Sequence, residues 1–207
     1  MPQVESVAMD NGADWENADM SWLLKLPNLR HLTLSRAIGA DVEEIAGLEN
    51  LRSLVLKSEC SIYRDDSFLK LKRLSQLEVL ESESPLITEK GLAVLENFAN
   101  LERLSIHLTE SSLAGLENIL TLKRLRSIHL WLPPELRDDL DGMFKKLAAL
   151  ENLEEISIPG RVTDEGLKNL HSLKKLRRLD LSRNSGYTDV GLANLMSTMP
   201  SLQEVIK

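Results

Sequence analysis

The sequence predicts an α/β solenoid, in which short units stack side by side with a parallel β-sheet on the concave face and helices on the convex face of a curved horseshoe. Three observations predict it. An apolar pattern, L-x-x-L-x-L, recurs along the chain. A further apolar residue recurs in phase with it, behind segments of helical spacing. Three of those segments open on one shared sequence, T-D/E-x-G-L.

The strand element comes first. The pattern stands at Leu29, Leu32 and Leu34; at Leu51, Leu54 and Leu56; at Leu77 and Leu80, with Ser82 in the last place; and at Leu101, Leu104 and Ile106. It continues at Leu125, Ile128 and Leu130; at Leu153, Ile156 and Ile158; and at Leu176, Leu179 and Leu181. Fainter copies are Val4, Val7 and Met9 near one end, and Leu202 and Val205 near the other. In copies such as Leu104-Ser105-Ile106, Ile128-His129-Leu130 and Leu179-Asp180-Leu181 the last three places alternate apolar with polar, as a strand with one buried face requires. First positions fall at 4, 29, 51, 77, 101, 125, 153, 176 and 202, so that the spacings are 25, 22, 26, 24, 24, 28, 23 and 26. A single domain over 1–207, of about eight to nine repeats, follows.

The helical element lies between strands. Leu26, Leu48, Leu74, Phe98, Leu122, Leu150, Leu173 and Met199 each stand three residues before a strand copy. Upstream of them, sets such as Val42, Ile45, Leu48 and Leu167, Leu170, Leu173 have the spacing of one helix face. The shared openings are Thr88-Glu89-Lys90-Gly91-Leu92, Thr163-Asp164-Glu165-Gly166-Leu167 and Thr188-Asp189-Val190-Gly191-Leu192. The threonine reads as an N-cap, and the acidic residue after it suits the positive helix end. The glycines read as close-packing positions. Trp22, four residues before Leu26, reads as packing over the end of the array, and Trp15 as packing too.

With these residues in view, the chain resembles the leucine-rich-repeat family over nearly its whole length. The T-D/E-x-G-L openings resemble the ribonuclease-inhibitor-like and cysteine-containing subclasses, which include the substrate arms of F-box proteins. The resemblance implies a protein-interaction scaffold that binds through its concave sheet. It also implies, as alternatives, the recognition arm of a ubiquitin-ligase adaptor or of an immune-receptor-type protein, or a structural repeat protein that self-associates. The asparagine that normally follows the strand is plain only at Asn184, since its place elsewhere holds residues such as Ala37, Glu59 and Thr109.

Composition narrows the function classes. The 207 residues carry 25 Lys+Arg against 32 Asp+Glu, a formal net charge of -7, which is the wrong sign for a nucleic-acid partner or an anionic membrane surface. Cys60 is the only cysteine, so no disulfide can form within the chain, and it reads as a structural thiol. Residues 1–20 are acidic, without the apolar core of a signal peptide, and no run approaches the roughly 18 apolar residues of a membrane span. A cytoplasmic monomer is expected.

Catalysis is not expected. The histidines are His31, His107, His129 and His171. His107 and His129 fall on diagonal positions with only Glu83 or Asp180 as a third metal ligand, so no metal site is expected. Ser105, His129 and Asp180 could mimic a catalytic triplet, but an open sheet face excludes little water. No glycine-rich phosphate loop is present, and no cofactor is expected.

A binding face is expected instead. In each copy the third, fifth and seventh places point out of the sheet. Charges alternate between neighbouring copies at Arg52–Glu78, at Glu102–Arg126–Glu154–Arg177 and at Glu155–Arg178–Glu204, a pattern that reads as support for register. The central columns gather Arg103, Ser105, His107, Ser127, His129, Trp131, Glu155, Arg178 and Asp180. An outward tryptophan among arginine and histidine has the composition of an interface hot spot. The opposing reading makes Trp131 a lid over Leu132-Pro133-Pro134 in the longest repeat, and composition does not decide between them.

Overall fold

Each copy of the apolar pattern forms a short strand, because its alternate side chains find a buried face while the residues between them remain at the surface. A computed structural model describes residues 3–9, 19–35, 42–57, 64–84, 87–109 and 115–207. Cys60 and Trp15 lie outside these. The chain forms two units, Met1–Leu122 and Lys123–Lys207.

In the first unit, strands β1 (Ser6–Met9), β2 (His31–Ser35), β3 (Ser53–Lys57), β4 (Val79–Ser82) and β5 (Arg103–His107) pair in parallel in chain order. Register stacks Val7, Leu32, Leu54, Leu80 and Leu104 in one column, and Met9, Leu34, Leu56, Ser82 and Ile106 in the next. Ser82 is buried like its leucine neighbours, and its hydroxyl accepts from the Ser84 N–H at 3.5 Å. Between strands run short helices: α1 (Val42–Ala46), α2 (Asp65–Lys70), α3 (Glu89–Leu92) and α4 (Leu116–Ile119).

The second unit repeats the plan. Its strands β6 (Ser127–Trp131), β7 (Glu155–Ser157), β9 (Arg178–Asp180) and β11 (Glu204–Ile206) pair in parallel. A separate ribbon pairs β8 (Gly160–Arg161) with β10 (Asn184–Ser185), and the helices are α5 (Asp141–Leu147), α6 (Asp164–Lys168) and α7 (Asp189–Thr198).

The residue three before each copy closes the helix onto the strand. The carbonyls of Leu48, Leu74, Phe98, Leu150, Leu173 and Met199 accept the N–H of Leu51, Leu77, Leu101, Leu153, Leu176 and Leu202 at 2.9–3.1 Å, and all six accepting residues bury their apolar side chains. The helical sets Val42, Ile45, Leu48 and Leu167, Leu170, Leu173 are buried as their spacing predicts. Trp22 is a correction. It sits 40% exposed in a 3-10 turn, Ser21–Lys25, whose inward residue is Leu23, so a four-residue spacing no longer returns to the same face.

The threonine caps form, and they do more than cap. Thr88 accepts from the Lys90 N–H, Thr163 from those of Glu165 and Gly166, and Thr188 from that of Gly191. Each threonine also donates its own N–H and hydroxyl to an aspartate at the start of the preceding helix: Thr88 to Asp65, Thr163 to Asp141 and Thr188 to Asp164. The glycine of the motif lies against that carboxylate. A Cβ would come within 2.5 Å of Asp65 Oδ1 at Gly91, and within 2.0 Å of the corresponding aspartate Oδ1 at Gly166 and Gly191.

Asparagines tie strand entries together at a place other than the one the resemblance implies. The side-chain amides of Asn50, Asn100 and Asn152, each just before a first-position leucine, donate to the carbonyls of Pro27, Ser75 and Lys123 one repeat back. Asn184 makes the expected bond, donating to the Ile158 carbonyl at 2.9 Å.

Candidate binding face of the second unit

Strand β6 turns Ile128 and Leu130 into the core, at 1% and 0% exposure, which forces Ser127, His129 and Trp131 to the opposite face. Register sets Ser127 beside Glu155, Arg178 and Glu204 in one row, and His129 beside Ser157 and Asp180 in the next. In the first row the Ser127 hydroxyl donates to Glu155 Oε2 at 3.1 Å, and Arg178 pairs with Glu204 at 3.1 Å.

The second row centres on Asp180. Its Oδ2 accepts from the Ser157 hydroxyl at 3.2 Å, while Oδ1 accepts from the Ser182 N–H at 3.0 Å and the Ser182 hydroxyl at 2.7 Å. Partial burial works to raise the pKa of this carboxyl, but the Ser182 and Ser157 hydrogen bonds, with His129 nearby, outweigh it and hold the pKa below the ordinary value. Asp180 is therefore an ionised group in a fixed orientation.

The Trp131 ring stacks on His129, with centroids 4.7 Å apart and planes 26° from parallel. The Arg183 guanidinium lies 5.2 Å from the Trp131 ring centroid, within the range of a cation–π contact. Together they border a hollow of about 150 Å³, whose remaining walls are Ser157, Pro159, Asp180, Ser182 and Asn184. Beside it a second depression of about 310 Å³ runs over Ser127, His129, Glu155, Ser157, Arg178 and Asp180.

In the long loop after β6, Leu132 is 2% exposed, and Arg137 Nε donates to the Leu132 carbonyl at 2.8 Å. Gly160, at φ 151°, lets the chain after β7 pass close to the Arg137 carbonyl, which a Cβ would approach to 2.9 Å. Trp131 is half-buried and forms one wall of the hollow.

The structure brings together Ser127, His129, Trp131, Glu155, Arg178 and Asp180 on this face. Arg103, Ser105 and His107 stand on β5 of the first unit, Arg103 exposed and the others half-buried. Sequence reasoning missed Ser182 and Arg183. The signal for Ser182 was present, since a serine two residues after an aspartate can cap that carboxylate. The charge alternation forms ion pairs at Arg52–Glu78 in the first unit, and at Arg126–Glu154 and Arg177–Glu154 in the second. Among the described residues, no three His, Cys, Asp or Glu side chains cluster as a metal site requires, and no helix is long and apolar enough to cross a membrane.

No family model and no curated protein matches the sequence. Solved structures do match. An internalin C2 from Listeria monocytogenes shares 22% identity at a TM-score of 0.52, over 90% of this chain and 65% of its own. A second Listeria monocytogenes internalin, inlF, shares 16% at a TM-score of 0.51, over 90% of this chain and 63% of its own. The leucine-rich-repeat ectodomain of the Arabidopsis receptor kinase HAESA, in complex with an N-terminally extended IDA peptide hormone ligand, shares 16% at a TM-score of 0.55 over 90% of this chain and 31% of its own.

This chain has the leucine-rich-repeat fold.

At such identities the likeness is one of fold. The leucine-rich-repeat chain spans less than two thirds of the length of each of these proteins.

Proposed function

We propose that this leucine-rich-repeat chain is a non-catalytic protein-interaction module that binds a protein partner on the sheet face of its second unit. The observation that carries the reading is Trp131, turned outward beside an ionised, oriented Asp180 and bracketed by His129 and Arg183. A half-exposed aromatic next to fixed polar groups is the composition of an interface anchor. The fold supports it as well, because one protein of this fold, the HAESA ectodomain, is seen with a peptide ligand. A net charge of -7 favours a protein over nucleic acid or an anionic membrane.

The narrower placement in the ribonuclease-inhibitor-like and cysteine-containing subclasses is part of the proposal. It rests on the T-D/E-x-G-L openings and their aspartate–threonine latches. A monomer working in the cytoplasm completes it.

The test is affinity capture from lysate with tagged wild-type chain and with Trp131→Ala, read by quantitative mass spectrometry. Loss of a specific partner is expected while the chain stays folded, with only the modest fall in melting temperature that the lost His129 stacking accounts for. Undiminished capture by Trp131→Ala removes the site from this face.

A further inference from the structure

Asp180 receives only neutral donors, the Ser182 N–H, the Ser182 hydroxyl and the Ser157 hydroxyl, with His129 in the same row. Among the described residues no lysine or arginine pairs with it. A half-buried carboxylate with a spare lone pair, directed by three hydrogen bonds and lacking a full cationic partner, is an incomplete ion-pair site. The other half of the hollow already shows which group its wall accepts: the Trp131 ring carries the guanidinium of Arg183 at 5.2 Å. Arg183 is itself exposed, and among the described residues no carboxylate holds it in an ion pair. A contact of this kind, on a solvated and rotamer-rich side chain, is weak enough to exchange.

We propose that the hollow seats a basic side chain of the partner protein, with its charged head on Asp180, its stem against Trp131 and Pro159, and Arg183 displaced from the ring. This rests on the reading of the second unit as the binding face. Arginine fits better than lysine, because its planar head can meet the carboxylate and stack on an aromatic face at once. Arg183 then acts as an internal competitor, filling the aromatic half of the site until a partner residue arrives that can also reach Asp180. The neighbouring row supports the sign, since Glu155 and Glu204 flank Arg178, whose charge is already engaged by Glu204.

The experiment titrates three blocked pentapeptides, acetyl-Gly-Gly-Xaa-Gly-Gly-amide with arginine, glutamate or phenylalanine at the centre, into the full chain. The readout is the indole N–H resonance of Trp131, assigned by its absence in Trp131→Phe. The arginine peptide is expected to give a saturable shift, weakened about tenfold or more in Asp180→Asn. In Arg183→Ala, a surface change that leaves the carboxylate and its donors intact, the same peptide should bind several-fold more tightly. Preference for the glutamate or phenylalanine peptide, an unchanged response in Asp180→Asn, or no saturation in the millimolar range overturns the inference. Partner capture lost in Trp131→Ala without arginine-peptide saturation overturns this inference alone. Capture that survives Trp131→Ala overturns the binding-face reading with it.

Discussion

Thr188 donates both its backbone N–H and its hydroxyl, each at 2.7 Å, to the two oxygens of the Asp164 carboxylate one helix earlier. Asp164 in turn belongs to the motif whose Thr163 makes the same pair of bonds to Asp141, at 2.9 and 2.6 Å. One five-residue motif therefore supplies the donor to the repeat before it, and its second residue supplies the acceptor to the repeat after it.

Thr163→Val tests this latch. The substitution keeps the shape of the side chain but removes an N-cap acceptor and the donor to Asp141 Oδ2. Loss of about 1–2 kcal/mol is expected from the cap alone, read as a lower urea midpoint at unchanged slope.

The glycines make a sharper pair. Gly166→Ala places a Cβ 2.0 Å from Asp141 Oδ1 and 2.6 Å from Val162 Cγ2, so the latch must open. A cost of about 1–3 kcal/mol is expected, despite alanine's better helix propensity. At Gly142, in α5, a Cβ meets nothing within 4 Å. Gly142→Ala should instead stabilise by up to about 1 kcal/mol. Calorimetric melting temperatures that move in opposite directions confirm the packing role, and a rise for both refutes it.

The latch also predicts acid behaviour. The Thr188 N–H and hydroxyl bonds hold the Asp164 pKa below its ordinary value of 3.8, and Lys168 adds to the effect. A folded-state pKa below the unfolded one contributes stability that is complete above the unfolded value and disappears as pH falls through the folded one. Wild type should lose this contribution only on acidification below about pH 4. Asp164→Asn should show a shallower dependence there and none of its own above pH 5, measured by urea unfolding at stepped pH.

Trp131 and Leu132 are adjacent yet should behave as opposites. Trp131→Ala forfeits stacking with His129 and surface contacts, worth about 0.5–1.5 kcal/mol. Leu132→Ala opens a cavity at a residue 2% exposed and should cost about 2–5 kcal/mol. Equal losses in thermal denaturation would mean that Trp131 serves the core after all.

The repeat was legible because it obeys two short-range rules. Leu179 and Leu181 must share one side of a strand, and Leu167, Leu170 and Leu173 one side of a helix, whatever surrounds them. The outward set Ser127, His129 and Trp131 follows from the same alternation, so the candidate face was legible as a column. Trp22 was misread because a 3-10 turn changes the period from near four to three.

The sequence by itself determined the strands, the capped helix starts and the register of Ser127, His129, Glu155, Arg178 and Asp180, since these depend on spacings within or between identical units. Tertiary structure alone decided the rest. Asp65 and Asp141 carry no motif that marks them as acceptors for Thr88 and Thr163, and the contact exists only once helices stack. Arg183 reaches Trp131 past one intervening strand, β7, from the turn after β9, and Ser182 fixes Asp180 from that same turn. Periodicity says which way a side chain points, while what it meets there depends on residues far off in the chain.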